Sequence, residues 1–393
     1  MKLEPGDTNV SKQIIPFNKP FVVGKELFYI AQAVMNGGIA GDGQFTRLCQ
    51  EWLEANLGCS KALLTHSCTA ALEMAAILAD IGPGDEVIMP SFTFVSTANA
   101  FVLRGAVPVF LDIRKDTLNL DERLVEAAIT EKTKAIVAVH YAGQPCDMDV
   151  LLRLCDKHGL ILIEDAAQAI LAREKTRALG TIGHLGCLSF HETKNVISGE
   201  GGALLINDPR LIERAEIIWQ KGTNRKAFSR GEVSKYTWVD VGSSFLPSEL
   251  TAAFLYAQLE QGESINTHRR SLYESYYHQL APLEADGCFT LPVARGGKPA
   301  NAHIFYLLMR NNEERGELIE FLRERGIYAV FHYVPLHDSP AGLRYSRSVG
   351  DLSVTQEVSA RLVRLPLYSD MSIRQVAEVC AAIFQFFAGA RNA

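Results

Sequence analysis

The sequence predicts an α/β fold, with a mostly parallel seven-stranded sheet in a large unit over residues 1–262 and a smaller α/β unit over 263–393. Three observations lead there. Short, continuous apolar runs recur between about residues 60 and 210, as expected of strands buried on both faces. Amphipathic stretches separate the earlier runs, which is how parallel strands are connected. Beyond residue 262 the pattern changes to a long helix and a shorter mixture of strand and helix.

Taken in order, the seven strand candidates are "ALL" (62–64), "EVIMP" (86–90), "VPVFLDI" (107–113), "AIVAVH" (135–140), "LILIEDA" (160–166), "CLSF" (187–190) and "GALLIN" (202–207). Helices are expected at "TAALEMAAILADI" (69–81), "DERLVEAAI" (121–129) and "DMDVLLRLCDKHG" (147–159). The C-terminal unit reads as helix 265–283, strand 303–309, helix 314–326, strand 328–335 and a terminal helix 372–387. In the terminal helix Ile373, Val376, Ala377, Cys380, Ile383, Phe384 and Phe387 share one face, so it packs against a core. The polar tract 221–238 reads as a long loop, a place where enzymes often carry function.

Composition narrows the function. A chain of 393 residues with 48% hydrophobic and 21% charged residues can bury a large core. The net charge of −6 and the absence of a Lys/Arg block argue against nucleic-acid binding. The eight cysteines form no C-x-x-C pair, so neither a metal site nor a disulfide framework is expected. The N-terminal stretch "MKLEPGDTNVSKQIIPF" has no signal-peptide core and no run is long enough to span a bilayer, so a cytoplasmic location is expected.

In open parallel sheets, ligand groups gather at strand carboxyl ends. "LILIEDAAQ" delivers Glu164, Asp165 and Gln168 just past a strand, where an unpaired carboxylate is costly and a cationic partner is expected; a helix cap is the alternative role. "THSCTAAL" passes from strand into helix at Ser67, Cys68 and Thr69, which offers free N–H groups and the positive dipole end to a phosphate. "PSFTF" places Phe92 and Phe94 after a strand, as core or as a stacking surface. Lys194, in "SFHETKNVISGEGG", stands between two strands, either as a solvated charge or as an amine held inward. A phosphate seat, a stacking ring, a carboxylate and an amine are together the requirements of pyridoxal 5′-phosphate, with Lys194 as its Schiff-base lysine.

The motifs "SCTAALEMAA", "PSFTFVSTANA", "DIRKDTLNLD", "IEDAAQA", "SFHETKNVISGEGGALLIN" and "VGSSFLPSELTAAFLYAQLE", in this order, resemble the DegT/StrS family of pyridoxal-phosphate sugar-nucleotide aminotransferases. Within it, "THSCTAALEMAA", "SFHETKN", "KGTNR", "KYTWVDVGSS" and "AVFHYVPLH" are similar to the dTDP-4-amino-4,6-dideoxygalactose transaminase subgroup. The resemblance implies fold type I architecture. It also implies covalent attachment of the cofactor to Lys194, Asp165 on the pyridine nitrogen, Gln168 near the ring hydroxyl and Phe94 on the ring face. Cys68, Thr69 and Ser189 would hold the phosphate, and Ser244 would reach it from a neighbouring subunit of a homodimer with shared active sites. Two departures stand out: the family commonly has glycine in place of Cys68 and asparagine in place of Ser244.

The same resemblance implies L-glutamate as amino donor and a dTDP-4-dehydro-6-deoxyglucose acceptor aminated at C4. The glycine-rich segment "MNGGIAGDGQFT" (35–46) and the residues His332, Tyr333 and His337 are expected near the sugar, and Lys221 and Arg225 near its pyrophosphate. A sugar dehydratase of the same fold would carry histidine at the Lys194 position. The gluco epimer, a C3-aminating relative and a non-catalytic regulator are the rival readings.

Overall fold

The computed structural model describes residues 14–293 and 300–390. Residues 1–13, which begin the stretch expected to lack a signal-peptide core, lie outside them. In chain order the strands are β1 (Lys61–Thr65), β2 (Glu86–Pro90), β3 (Val107–Leu111), β4 (Thr133–Val139), β5 (Ile161–Asp165), the small hairpin β6 (Arg173–Glu174) and β7 (Arg177–Ala178), β8 (Leu185–Ser189) and β9 (Gly202–Ile206). The C-terminal part adds β10 (Phe289–Thr290), β11 (Tyr306–Met309), β12 (Arg347–Ser348) and β13 (Leu362–Arg364).

The main sheet has the order β1-β9-β8-β5-β4-β2-β3-β12. Every neighbouring pair is parallel except those made by β9, which runs antiparallel to both β1 and β8. The seven expected strands are all present. The eighth, β12, comes from the C-terminal part and pairs with β3; a two-residue strand is too short to carry a readable pattern. Side chains alternate between the two faces. Leu162 of β5 packs with Leu53, Leu151 and Ala252 on one side, whereas Ile163 packs with Met74, Phe101 and Ile218 on the other.

Beyond the sheet, helix Gly262–Ala285 leads into a second core, where Tyr276, Phe305, Leu318, Leu322, Val376 and Ile383 pack around the antiparallel order β10-β11-β13. Ile15 joins this core and bridges to Ile327, so the chain's first described residues pack with its C-terminal part. The expected strand 328–335 is not formed as such. Val330 alone bridges to Arg364; the backbone then turns at Tyr333, whose φ of +30° lies outside the strand region, and Pro335 lacks the N–H that a ladder requires. The tract 221–238 contains one short helix, Arg225–Ser229, and a bridge between Thr223 and Trp238. No helix among the described residues is long and apolar enough to cross a membrane.

The two acids at the end of β5 take opposite faces. Glu164 is fully buried and accepts the N–H groups of Gly180 (2.7 Å), Ile182 (2.6 Å) and Gly183 (2.6 Å) and a bond from His140 Nε2 (2.8 Å). His140 Nδ1 accepts the Cys146 N–H, which leaves Nε2 to carry the proton toward Glu164. Glu164 thus ties the β7–β8 connection to the sheet and leaves Asp165 to face the other way. Glu164→Ala strands four buried donors and is expected to lower the unfolding free energy by about 3–5 kcal/mol in urea titrations followed by circular dichroism. A loss below about 1 kcal/mol would contradict this anchoring role.

Candidate active site

Four segments at the carboxyl edge of the sheet converge with the C-terminal unit on a cavity of about 440 Å³. They are the helix start after β1, the turn after β2, the end of β5 and the β8–β9 loop, and the end of β4 adds a fifth through Val139 and His140. Lys194, Asp165, Gln168, Cys68, Thr69, Ser189, Phe94, His332 and Tyr333, all expected from the sequence, line it. Three residues that the sequence did not single out, Ser96, His303 and Arg364, line it as well.

Lys194 is held by its loop. Backbone bonds from Phe190 to Gly201 (2.8 Å), Ser198 to Phe190 (2.7 Å) and Glu192 to Gly199 (2.8 Å) close the segment upon itself. The next residue, Asn195, is buried, and its Nδ2 donates to Asn266 Oδ1 and to the Asn301 carbonyl, both at 2.8 Å. Its Oδ1 therefore accepts from His303 Nδ1 at 2.9 Å. Burial pulls the Lys194 pKa below its usual value; Cys68 and Asp165 oppose that shift and Arg364 adds to it. The neutral, nucleophilic amine is correspondingly favoured.

Asp165 is held ready on the facing side. Its Oδ2 accepts from Thr97 Oγ1 at 2.7 Å, Thr97 in turn contacts Thr93 Oγ1 at 2.8 Å, and Oδ1 accepts the Ala167 N–H at 3.2 Å. No arginine or lysine among the described residues forms an ion pair with it, so the side chain is open to a cationic group such as a protonated ring nitrogen. Gln168 spans the floor, with Oε1 accepting the Ala142 N–H (2.6 Å) and Nε2 donating to the Tyr333 hydroxyl (2.9 Å). Tyr333 stacks on His332 with 3.6 Å between ring centroids, and His332 Nδ1 shares a 2.8 Å bond with Tyr141. Burial keeps this cluster uncharged: it pushes both phenols up and, with the charges of Arg364 and Lys194, drives the His332 pKa well down.

The phosphate seat forms where β9 passes under the start of helix Cys68–Leu78. A Cβ on Gly202 would lie 2.5 Å from the Cys68 nitrogen, so only glycine lets the strand come this close. Ser67 Oγ caps the helix by accepting the Ala70 N–H at 3.1 Å, which leaves the earlier N–H groups at Cys68 and Thr69 facing the cavity end. Thr69 Oγ1 and Ser96 Oγ lie 2.8 Å apart beside them, and Ser189 lines the same cavity. Of the two aromatics, Phe92 is core, whereas Phe94 is 56% exposed at the cavity mouth and free to cover a planar ring. Donors for an anion, a carboxylate for a ring nitrogen and an amine for an aldehyde thus fit pyridoxal phosphate.

Other expected residues lie elsewhere. Lys221, Arg225 and Ser244 are exposed and do not line this cavity. His337 is tied to Ser91 Oγ at 2.6 Å, outside the lining. The glycine-rich segment 35–46 is fixed to the 220s loop, where Asp42 accepts from Gln220 Nε2 (2.8 Å) and Lys226 Nζ (2.6 Å).

The profile of DegT/DnrJ/EryC1/StrS aminotransferases matches residues 23–384. The chain belongs to this aminotransferase family. Its cofactor is pyridoxal phosphate, and its fold is that of the solved aminotransferases it resembles. The spore coat polysaccharide biosynthesis protein SpsC of Bacillus subtilis is 34% identical over 387 residues, covering 96% of this chain and 98% of SpsC. DesV from S. venezuelae superposes with a TM-score of 0.85 at 32% identity, over 95% of this chain and 98% of its own. The PLP form of Spr1654 from Streptococcus pneumoniae gives a TM-score of 0.85 at 25% identity, over 95% of this chain and 98% of its own.

The depressed Lys194 pKa has a pH signature. Attachment of added pyridoxal phosphate to the cofactor-free protein requires the neutral amine, so its rate is expected to rise with pH through a midpoint below 10.5, the ordinary lysine value. A stopped-flow absorbance profile with its midpoint at or above that value would refute the burial argument.

Proposed function

We infer that this chain is a sugar aminotransferase of polysaccharide biosynthesis, moving the amino group of L-glutamate to C4 of dTDP-4-dehydro-6-deoxy-D-glucose. The product is dTDP-4-amino-4,6-dideoxy-D-galactose, for a surface polysaccharide of the enterobacterial common antigen type. The observation that carries the reaction class is the Lys194 amine set in one cavity with Asp165 and an open helix start. The name of SpsC, a polysaccharide biosynthesis protein, supports the setting. The motifs "SFHETKN", "KYTWVDVGSS" and "AVFHYVPLH" support the particular sugar.

Bound pyridoxal phosphate supplies an electron sink for the carbon that loses a proton. The chain's own residues direct it. Asp165 holds a ring nitrogen in its protonated form, since a buried carboxylate favours a facing cation. Cys68, Thr69, Ser96 and Ser189 hold the phosphate through backbone and hydroxyl groups, Phe94 covers the ring, and Gln168 fixes Tyr333 beside it. Lys194 Nζ would take the proton from the donor carbon and pass it to the cofactor within the first half-reaction, and in the second half would carry a proton from the cofactor to the sugar carbon. His332 and Tyr333, neutral and stacked, face the sugar.

The reading includes a cytoplasmic homodimer. Lys221, Arg225 and Ser244, exposed and away from the cavity of their own chain, serve the cavity of a second copy. The exposed apolar face of helix Glu26–Met35, with Leu27 at 78% and Met35 at 82% exposure, fits burial in that assembly. The division of the chain near 262/263 goes with this reading, the large unit holding the cofactor and the smaller one covering the substrate.

Lys194→Ala is expected to abolish turnover while leaving the circular dichroism unchanged; appreciable residual transamination would sink the assignment. Product identity is read by NMR after incubation with the keto sugar, glutamate and cofactor. A small H3–H4 coupling marks the axial amine of the galacto product, whereas a large one moves the enzyme to the gluco epimer.

A further inference from the structure

Arg364, the last residue of β13, lines the cavity with its guanidinium over the Phe17 ring, 4.6 Å from the ring centroid. Its Nε is buried without a hydrogen-bond partner among the described residues, and no carboxylate of those residues acts on its charge. The neighbouring Arg269 shows what the fold does elsewhere: its buried guanidinium donates to the carbonyls of Ala302 (3.1 Å), His303 (2.9 Å) and Leu367 (3.1 Å). Arg364 alone of the two is left open toward the cavity. A desolvated cation without acceptors is costly, and its cost is recovered when an anion binds.

We propose that Arg364 receives the α-carboxylate of the amino-acid donor, with Phe17 as the positioning residue that holds the guanidinium plane. The proposal rests on the aminotransferase reading above. Two other anions compete for the assignment. The cofactor phosphate already has its seat at the start of helix Cys68–Leu78. The pyrophosphate of a nucleotide sugar is separated from C4 by the sugar ring, but Arg364 stands at the reacting end, where its charge acts on Lys194, His303 and His332. An α-carboxylate is one bond from the carbon that reacts, and its two oxygens match the guanidinium fork. Phe17 is itself fixed: Ile15 bridges to Ile327, Asn18 Nδ2 donates to the Glu192 carbonyl at 3.3 Å, and Lys19 pairs with Asp370. The segment 14–19 is therefore a strap laid across the donor end of the cavity.

The test uses the full chain loaded with cofactor. L-Glutamate is titrated without sugar and the absorbance change of the cofactor is followed; separately, calorimetry measures binding of glutarate, which has carboxylates and no amine to react. Arg364→Gln is expected to raise the glutamate half-saturation on the order of 100-fold and to weaken glutarate by at least about tenfold, with the cofactor band unchanged. Arg364→Lys restores part of the loss, and Phe17→Ala costs about fivefold. Reaction with 4-aminobutyrate, which lacks the α-carboxylate, is expected to lose much less on Arg364→Gln than reaction with L-glutamate. Unchanged glutamate and glutarate binding in Arg364→Gln would overturn the proposal, as would a rise confined to the nucleotide-sugar KM. A wild-type protein whose cofactor band does not respond to glutamate would overturn the aminotransferase reading itself.

Discussion

The site depends on the direction of one strand. β9 runs against both its neighbours, so the loop that carries Lys194 leaves and re-enters the sheet at a single edge. The register aligns Thr65, Gly202 and Ser189 across three strands, and Asp165 lies one strand further on, paired with Cys187. A parallel β9 would require a crossover to the far edge and would carry the lysine away from the carboxylate. With the reversal, a five-residue offset in sequence becomes a shared cavity floor: Ser189, Lys194 and Gly201 all line it. Gly202 completes the arrangement, since its missing side chain allows the helix start of Cys68 to rest on the strand.

Burial sets the electrostatics of that floor. The same desolvation that favours a neutral Lys194 drives His303 and His332 to their neutral forms and keeps Tyr141 and Tyr333 protonated. Two polar groups face each other across it: the Asp165 side chain held by Thr97 on one side, and the Arg364 guanidinium braced by an aromatic ring on the other. Few mobile charges means little reorganisation when a ligand with several ionised groups enters.

The large sheet was legible in the sequence because its strands are buried on both faces and so read as continuous apolar runs. Lys194 and Asp165 were legible for a related reason: charged residues at the ends of such runs need an explanation. What stayed hidden lacked that contrast. Arg364 sits in "RLVRLPL" beside Arg361, and nothing local distinguishes a guanidinium bonded to carbonyls from one left open. Thr97 and Ser96 read as ordinary helix-start residues until Asp165 and Thr69 are brought beside them. The "FHYVP" segment has the composition of a strand, but the turn at Tyr333 is imposed by its packing against His332 and Gln168. Ser244 rests on the resemblance and Lys221 and Arg225 on the positive charge that a pyrophosphate requires, and all three are exposed away from the cavity of their own chain.

The pairing of β12 with β3 bears on the order in which the protein can be made. Residues 61–206 contribute all but one strand of the main sheet, yet its β3 edge stays open until residues 347–348 arrive. At the other end, Ile15 emerges first and finds its place only after residue 327 exists. During synthesis a nearly finished sheet therefore waits with an unpaired edge and an unanchored leading segment, and such edges invite association with other chains. The last part of the chain, from residue 347 onward, is thus what covers the open β3 edge of a sheet synthesised well before it.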